Sequence, residues 1–382
     1  MFRYCETIYK MIPVYKPYLP PASLRDAHKA LDSTWVSSHG TYISTVEQRL
    51  ADLLGVKHVL VVNNGTSATH LVAKALKFAH PWINKLIVPN NVYVAAINSF
   101  LFDKEYQMIA VDASPDTWNY DLDALDTAIK SNPGNLAVLI VHNVGNIINV
   151  PALKRRYPAV AFVEDNCEGF LGKYEDQYSG TASLAASVSF FGNKNITSGE
   201  GGAVMTNDTE IYNYLRCIHG QGQSDTRFLH KELGYNYRMT NIQAAILNGQ
   251  LDQLDNILTM KSKIFDFYRK VIGSIPGVIP QVVTSNTEHS NWMFGIRVPS
   301  NTLGYDAAEQ FFKHHGVEIR PMFYPIRSHT HLQNEKLLSF FGTQQNAETL
   351  NAECFILPSF PELTQVELKH IYDTVVEFIK SL

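Results

Sequence analysis

Short apolar runs punctuate the first half of the chain: His58–Val62, Lys85–Val88, Gln107–Val111, Leu136–Val141, Val160–Val163 and Val188–Phe191. Runs this apolar, without strict alternation, are strands covered on both faces. Helical patterns stand between some of them. One runs from Val46 to Leu54, apolar at 46, 50, 53 and 54, and Gly55 stops it. Another runs from Thr66 to about Phe78. Strand–helix alternation over residues 40–206 predicts an α/β layer around a mostly parallel sheet.

From Thr240 the pattern changes. Ile242, Ala245, Ile246, Leu254, Ile257, Leu258, Ile264, Phe267, Tyr268 and Val271 keep helical spacing. This predicts one helix of roughly 45 to 50 Å, with Gly249 a place where it weakens or bends. After Gly273 short strands and helices mix. Residues 1–250 therefore read as a large α/β domain. Residues 251–382 read as a smaller α+β domain, joined to the first by the helix starting near 240. Residues 1–11 read as a possible extension, because Ile12-Pro-Val-Tyr15 opens the domain pattern.

Composition narrows the function classes. The chain has 382 residues, enough for two domains and a deep cleft. Lys plus Arg is 32 and Asp plus Glu 36, a net charge of −4. No basic stripe or tail appears, so neither nucleic acid nor membrane is expected as a partner. Cys5, Cys167, Cys217 and Cys354 are far apart, without ligand spacing to His. No metal site and no disulfide framework are expected. No apolar run approaches the roughly 18 residues of a span, and no signal-type apolar region opens the chain. A cytoplasmic setting is expected.

Three segments carry chemistry. Asn63-Asn-Gly-Thr-Ser-Ala-Thr69 follows a strand and opens a helix. Gly65 allows close backbone approach, and Thr66 and Ser67 present hydroxyls and N–H groups, which suits a phosphate. Alone, the segment is equally an N-capped helix start. Val163-Glu-Asp-Asn-Cys-Glu168 ends a strand, so Asp165 faces the crevice where α/β sheets take ligands. Alone, its acids also serve as turn caps. Ser189-Phe-Phe-Gly-Asn-Lys194 leads into Gly199, Gly201 and Gly202. A lysine packed among glycines can form a Schiff base if its amine is partly desolvated. It also reads as a hairpin-loop lysine. Together the three match the needs of pyridoxal 5′-phosphate: donors for the phosphate, a carboxylate for the pyridine nitrogen and an amine for the aldehyde. Tyr93 is a candidate to stack on the ring.

With these segments in view, the chain resembles the pyridoxal-phosphate nucleotide-sugar aminotransferases of the DegT type, from about Ile12 to Ile379. Residues 189–208 resemble the family's lysine segment. Residues 234–246 resemble its segment at the start of the long helix. Residues 33–40 and 320–325 are similar to the 4-aminotransferase branch of perosamine and viosamine synthases. The resemblance implies fold type I, like aspartate aminotransferase, with a seven-stranded-type sheet.

It also implies roles. Lys194 would form the Schiff base and Asp165 would pair with the pyridinium. Glu168 would sit near the ring's 3′-oxygen. Gly65, Thr66 and Ser189 would hold the phosphate, and Tyr93 would stack on the ring. Asn236 would reach the phosphate of a neighbouring subunit's cofactor, making a homodimer with shared active sites. Trp35, Arg238 and Arg320 are candidates for the sugar nucleotide, since guanidinium groups suit a diphosphate. A related dehydratase branch has His in place of the lysine, so Lys194 points to transamination.

The implied reaction moves the amino group of L-glutamate, by way of pyridoxamine phosphate, to C4 of a nucleotide-linked 4-keto-6-deoxyhexose. UDP, dTDP and GDP remain open. So do a 3-keto sugar, an N-acetylated 4-keto sugar and a non-enzymatic cofactor-binding regulator. A nicotinamide oxidoreductase is disfavoured by the missing G-x-G-x-x-G. Arg327, where many relatives have His, and Val141-His-Asn-Val-Gly145 depart from the family pattern.

Overall fold

The apolar runs form one sheet, and their lack of alternation has a simple cause. Along Lys85–Pro89, Leu86 and Val88 pack into a core with the helix Gly65–Ala79, while Ile87 packs on the opposite face with Leu125 and Ile129. Both faces are buried, so the positions after Lys85 are apolar. In this computed structural model the described residues are 11–382. Cys5 and residues 1–10 of the expected extension lie outside them.

The sheet has eight strands. Their order is His58–Val62, Gly202–Thr206, Ala186–Ser189, Ala161–Asp165, Leu136–Val141, Lys85–Pro89, Gln107–Val111 and Leu338–Phe341. Gly202–Thr206 is antiparallel to both neighbours, and the other pairings are parallel. The expected seven-stranded type is thus extended by an edge strand from the C-terminal part. That strand, Leu-Ser-Phe-Phe, has its two middle residues exposed, so it carries no buried-strand signature.

The expected single long helix is two: Asn241–Leu251 and Leu254–Val271. The break falls at Asp252–Gln253, where Gln253 leaves helical geometry and the Asp252 carboxylate meets Arg25 and Arg49. Gly249 is not the bend. A Cβ there would lie 2.2 Å from the Ser23 nitrogen, so glycine is what lets the helix Pro21–Asp32 cross closely. The Ser23 hydroxyl donates to the Ile246 carbonyl at 2.8 Å across that crossing.

Two segments cross the boundary expected near residue 250. One is the edge strand Leu338–Phe341. The other is the start of the chain: Ile12, Val14 and Tyr15 share a core with Phe312, Phe355 and Phe378. A four-stranded antiparallel sheet, Ile279–Pro280, Phe294–Arg297, Cys354–Leu357 and Arg320–Pro321, backs this second core. No helix among the described residues is long and apolar enough to cross a membrane.

Gly249→Ala tests the crossing. Alanine favours a helix by about 1 kcal/mol, yet a methyl against the Ser23 backbone costs about 1–3 kcal/mol. The urea midpoint is expected to fall with an unchanged slope. A raised midpoint would show that the two helices part freely.

Candidate active site

The parallel strands end on one side of the sheet, and a cleft of about 630 Å³ opens there. Gly65, Thr66, Tyr93, Asp165, Glu168, Ser189, Lys194 and Arg320 all line it. Trp35, Asn236 and Arg238 do not line this cleft. They lie in two stretches that are tied together. Arg238 Nε donates to Ser38 Oγ at 3.1 Å, and Asn241 Nδ2 donates to the Trp35 carbonyl at 2.7 Å. The Trp35 side chain is exposed, and Asn236 bridges Gly220 in a short antiparallel contact.

The helix Gly65–Ala79 begins at the cleft because Asn64 caps it, accepting from the Ser67 N–H at 2.8 Å. The N–H groups of Gly65 and Thr66 precede the first intrahelical bonds. A Cβ on Gly65 would stand 2.8 Å from Ser189 Cβ and 3.3 Å from Cys167 Sγ. Glycine therefore keeps the helix start against the Ser189 strand. Ser189 Oγ accepts from the Phe191 N–H at 3.3 Å, which leaves its own proton to donate.

Asp165 is buried at its strand end. It accepts from Thr69 Oγ1 at 3.2 Å and from the Cys167 N–H at 3.1 Å. Glu168 is also buried and accepts from the Val144 N–H at 2.7 Å. Burial raises its carboxyl to about 7, against the pull of Lys194 and of the Val144 N–H. The Cys167 thiol is pushed up by burial and by Asp165, which makes it packing rather than a nucleophile. Lys194 lies with its Nζ 3.8 Å from the ring centre of Trp292. Tyr93 is exposed and tilts towards Phe323, 6.1 Å between ring centres.

This donor set fits pyridoxal phosphate. A capped helix start with a hydroxyl suits a phosphate. A buried carboxylate suits a protonated pyridine, and an amine suits an aldehyde. The cleft also contains a buried Asn193 Oδ1 with no partner among the described residues. No cluster of three or more His, Cys, Asp or Glu that could hold a metal is present among the described residues.

Sequence reasoning passed over Thr69, Trp292 and Tyr15. Thr69 had a signal: it stands four residues after Gly65, hence on the same helix face. Trp292 and Tyr15 had none, since only the tertiary fold brings them to Lys194.

The cleft residues fit pyridoxal phosphate on an α/β fold of type I, and the chain's relatives supply the class. A model of the DegT/DnrJ/EryC1/StrS aminotransferase family matches residues 19–376, and the chain belongs to that family. It is 34% identical over 377 residues to a GDP-perosamine synthase of Escherichia coli O157:H7, covering 97% of this chain and 99% of that one. It is 32% identical to a GDP-perosamine synthase of Caulobacter vibrioides, covering 90% and 91%. Among solved structures, the E. coli GDP-4-keto-6-deoxy-D-mannose-3-dehydratase with bound hydrated cofactor matches with a TM-score of 0.89 at 22% identity, covering 96% of this chain and all of that one.

Glu168 makes a pH test. Its carboxyl moves from an ordinary 4.5 to about 7 on folding, so the native protein binds the proton more tightly than the unfolded chain. Its contribution to stability is complete below the ordinary value and is lost as pH rises through about 7. The shift corresponds to roughly 3 kcal/mol. In urea unfolding of the cofactor-free protein, Glu168→Gln should gain on wild type by about that amount between pH 5 and pH 8. A difference that stays constant with pH would refute the assignment.

Proposed function

We propose that the enzyme transfers the amino group of L-glutamate to C4 of a GDP-linked 4-keto-6-deoxyhexose. The product is a 4-amino-4,6-dideoxyhexose nucleotide. The observation that carries the reading is Lys194 sharing one cleft with the buried Asp165 and the Gly65 helix start. The choice of sugar and of GDP rests on relatives named GDP-perosamine synthase at 31–34% identity.

Pyridoxal phosphate bound here supplies an aldehyde that carries the amino group and a ring that takes up the electron pair left when the Cα–H bond breaks. Asp165 keeps the ring nitrogen protonated, because a buried carboxylate favours a cation beside it. Gly65, Thr66 and Ser189 bind the phosphate, and Glu168 faces the 3′-oxygen side. Tyr93 covers one ring face. The Lys194 amine would move the proton between glutamate Cα and the cofactor's C4′, a general acid–base role. Arg320, at the cleft wall, and Trp35 and Arg238, on their shared surface, bind the nucleotide sugar. Asn236 lies off its own chain's cleft, so it acts on the phosphate site of a second copy. The working unit is then a homodimer.

Two experiments test this. Purified enzyme with glutamate is offered 4-keto and 3-keto sugars linked to GDP, UDP or dTDP, and the product masses are read. The GDP-linked 4-keto sugar should be aminated, and Lys194→Ala should abolish turnover. Amination of a UDP-linked or 3-keto sugar in preference would overturn the substrate assignment. For the dimer, Lys194→Ala and Asn236→Ala are mixed after mild denaturation. Random reassociation puts both lesions in one site of each mixed dimer and leaves the other intact, restoring about a quarter of wild-type activity. No recovery would place Asn236 in its own chain's site.

A further inference from the structure

Lys261 is fully buried in the C-terminal core. Its Nζ donates to the Trp292 carbonyl at 2.7 Å and to the Ser359 carbonyl. It also lies 5.2 Å from the ring centre of Tyr15 and 5.4 Å from that of Phe265. Burial pushes the ammonium well below its usual range. A neutral amine still has two N–H groups, so both carbonyl contacts survive in either state. Burying such a group costs stability that an apolar side chain of the same length would not. The cost calls for a reason beyond packing.

The reason lies in what Lys261 touches. Trp292 donates its indole N–H to the Asn193 carbonyl at 3.0 Å, and its ring lies beneath the Lys194 amine. Tyr15 donates its hydroxyl to the Lys194 carbonyl at 2.8 Å. Burial raises the Tyr15 phenol, so that donor proton stays in place. Lys261 thus contacts the Trp292 main chain and the Tyr15 ring, and these two residues reach Lys194, one at the amine and one at the main chain.

We propose that Lys261 is a positioning residue for Lys194: it fixes Trp292 and Tyr15, so that the indole face holds the flexible amine and the tyrosine pins its backbone. The proposal rests on Lys194 being the cofactor lysine. A lysine stem has many rotamers, and an aromatic face restricts a cation to few of them.

The test compares two ligands on the cofactor-free full-length protein. Pyridoxal phosphate loads by condensation of the Lys194 amine with the aldehyde, releasing one water, and a visible band reports the rate. Pyridoxamine phosphate has no aldehyde and needs no lysine, so its affinity reports the rest of the site. Lys261→Met and Trp292→Leu should slow loading about tenfold or more. Trp292→Phe, which keeps a ring, should stay within about threefold of wild type. All should bind pyridoxamine phosphate within about twofold of wild type. Loading at the wild-type rate in Lys261→Met and Trp292→Leu would overturn the proposal. So would a parallel loss of both ligands, the mark of a merely structural role. If Lys261→Met fails to fold, the two Trp292 variants decide. Wild type that takes up neither ligand would instead refute the cofactor assignment.

Discussion

The buried carboxylate of Asp165 is the point from which the site is built. A charge out of water costs several kcal/mol unless it is hydrogen-bonded or paired. Here the chain offers Thr69 and the Cys167 N–H. Thr69 Oγ1 also lies 2.9 Å from Ser187 Oγ and 3.1 Å from the Gly65 carbonyl, so its single proton is shared between the Gly65 and Asp165 oxygens. One hydroxyl thereby ties the helix, the strand Ala161–Asp165 and the strand Ala186–Ser189 into a fixed relation. The spacing between the Gly65 helix start and the Asp165 carboxylate follows from those bonds, not from loop flexibility.

The remaining charges are arranged around that carboxylate. Glu168 sits close enough to Asp165 for the two acids to repel, which adds to the burial that raises Glu168. Lys194 opposes the effect from across the cleft. The mild net charge of −4 says little about a site of this kind. A helix start and Arg320 at the wall are local features inside a cleft, and net charge does not report them.

Much of this was legible in the sequence, for definite reasons. The sheet strands were readable because burial on both faces leaves them mostly apolar, with polar residues such as Glu164, Asp165 and Ser189 near the strand ends. Asp165, Lys194 and Gly65 were readable because strand ends, glycine turns and helix starts are local chemistry. What escaped was set by tertiary contact. The helix break at Asp252–Gln253 lacks a proline or glycine at the break itself, and the nearby Gly249 answered to a helix crossing instead. The edge strand Leu338–Phe341 is half exposed and so resembles a loop. Trp35, Asn236 and Arg238 could be named but not located, since they lie outside their own chain's cleft.

The two cores meet at Lys194, and this has a consequence for how the cleft behaves. Asp165 ends a strand of the sheet and Gly65 starts the helix packed on it, whereas Tyr15 and Trp292 belong to the core of Phe312, Phe355 and Phe378. Lys194 sits on the sheet side yet is touched by both. A shift of one core against the other would therefore move the amine's support without moving the Gly65 helix start or Asp165. The sheet and the helix on it set the placement of Asp165 and Gly65, and the packing of residues 12–15 and 292 against them sets that of the Lys194 amine.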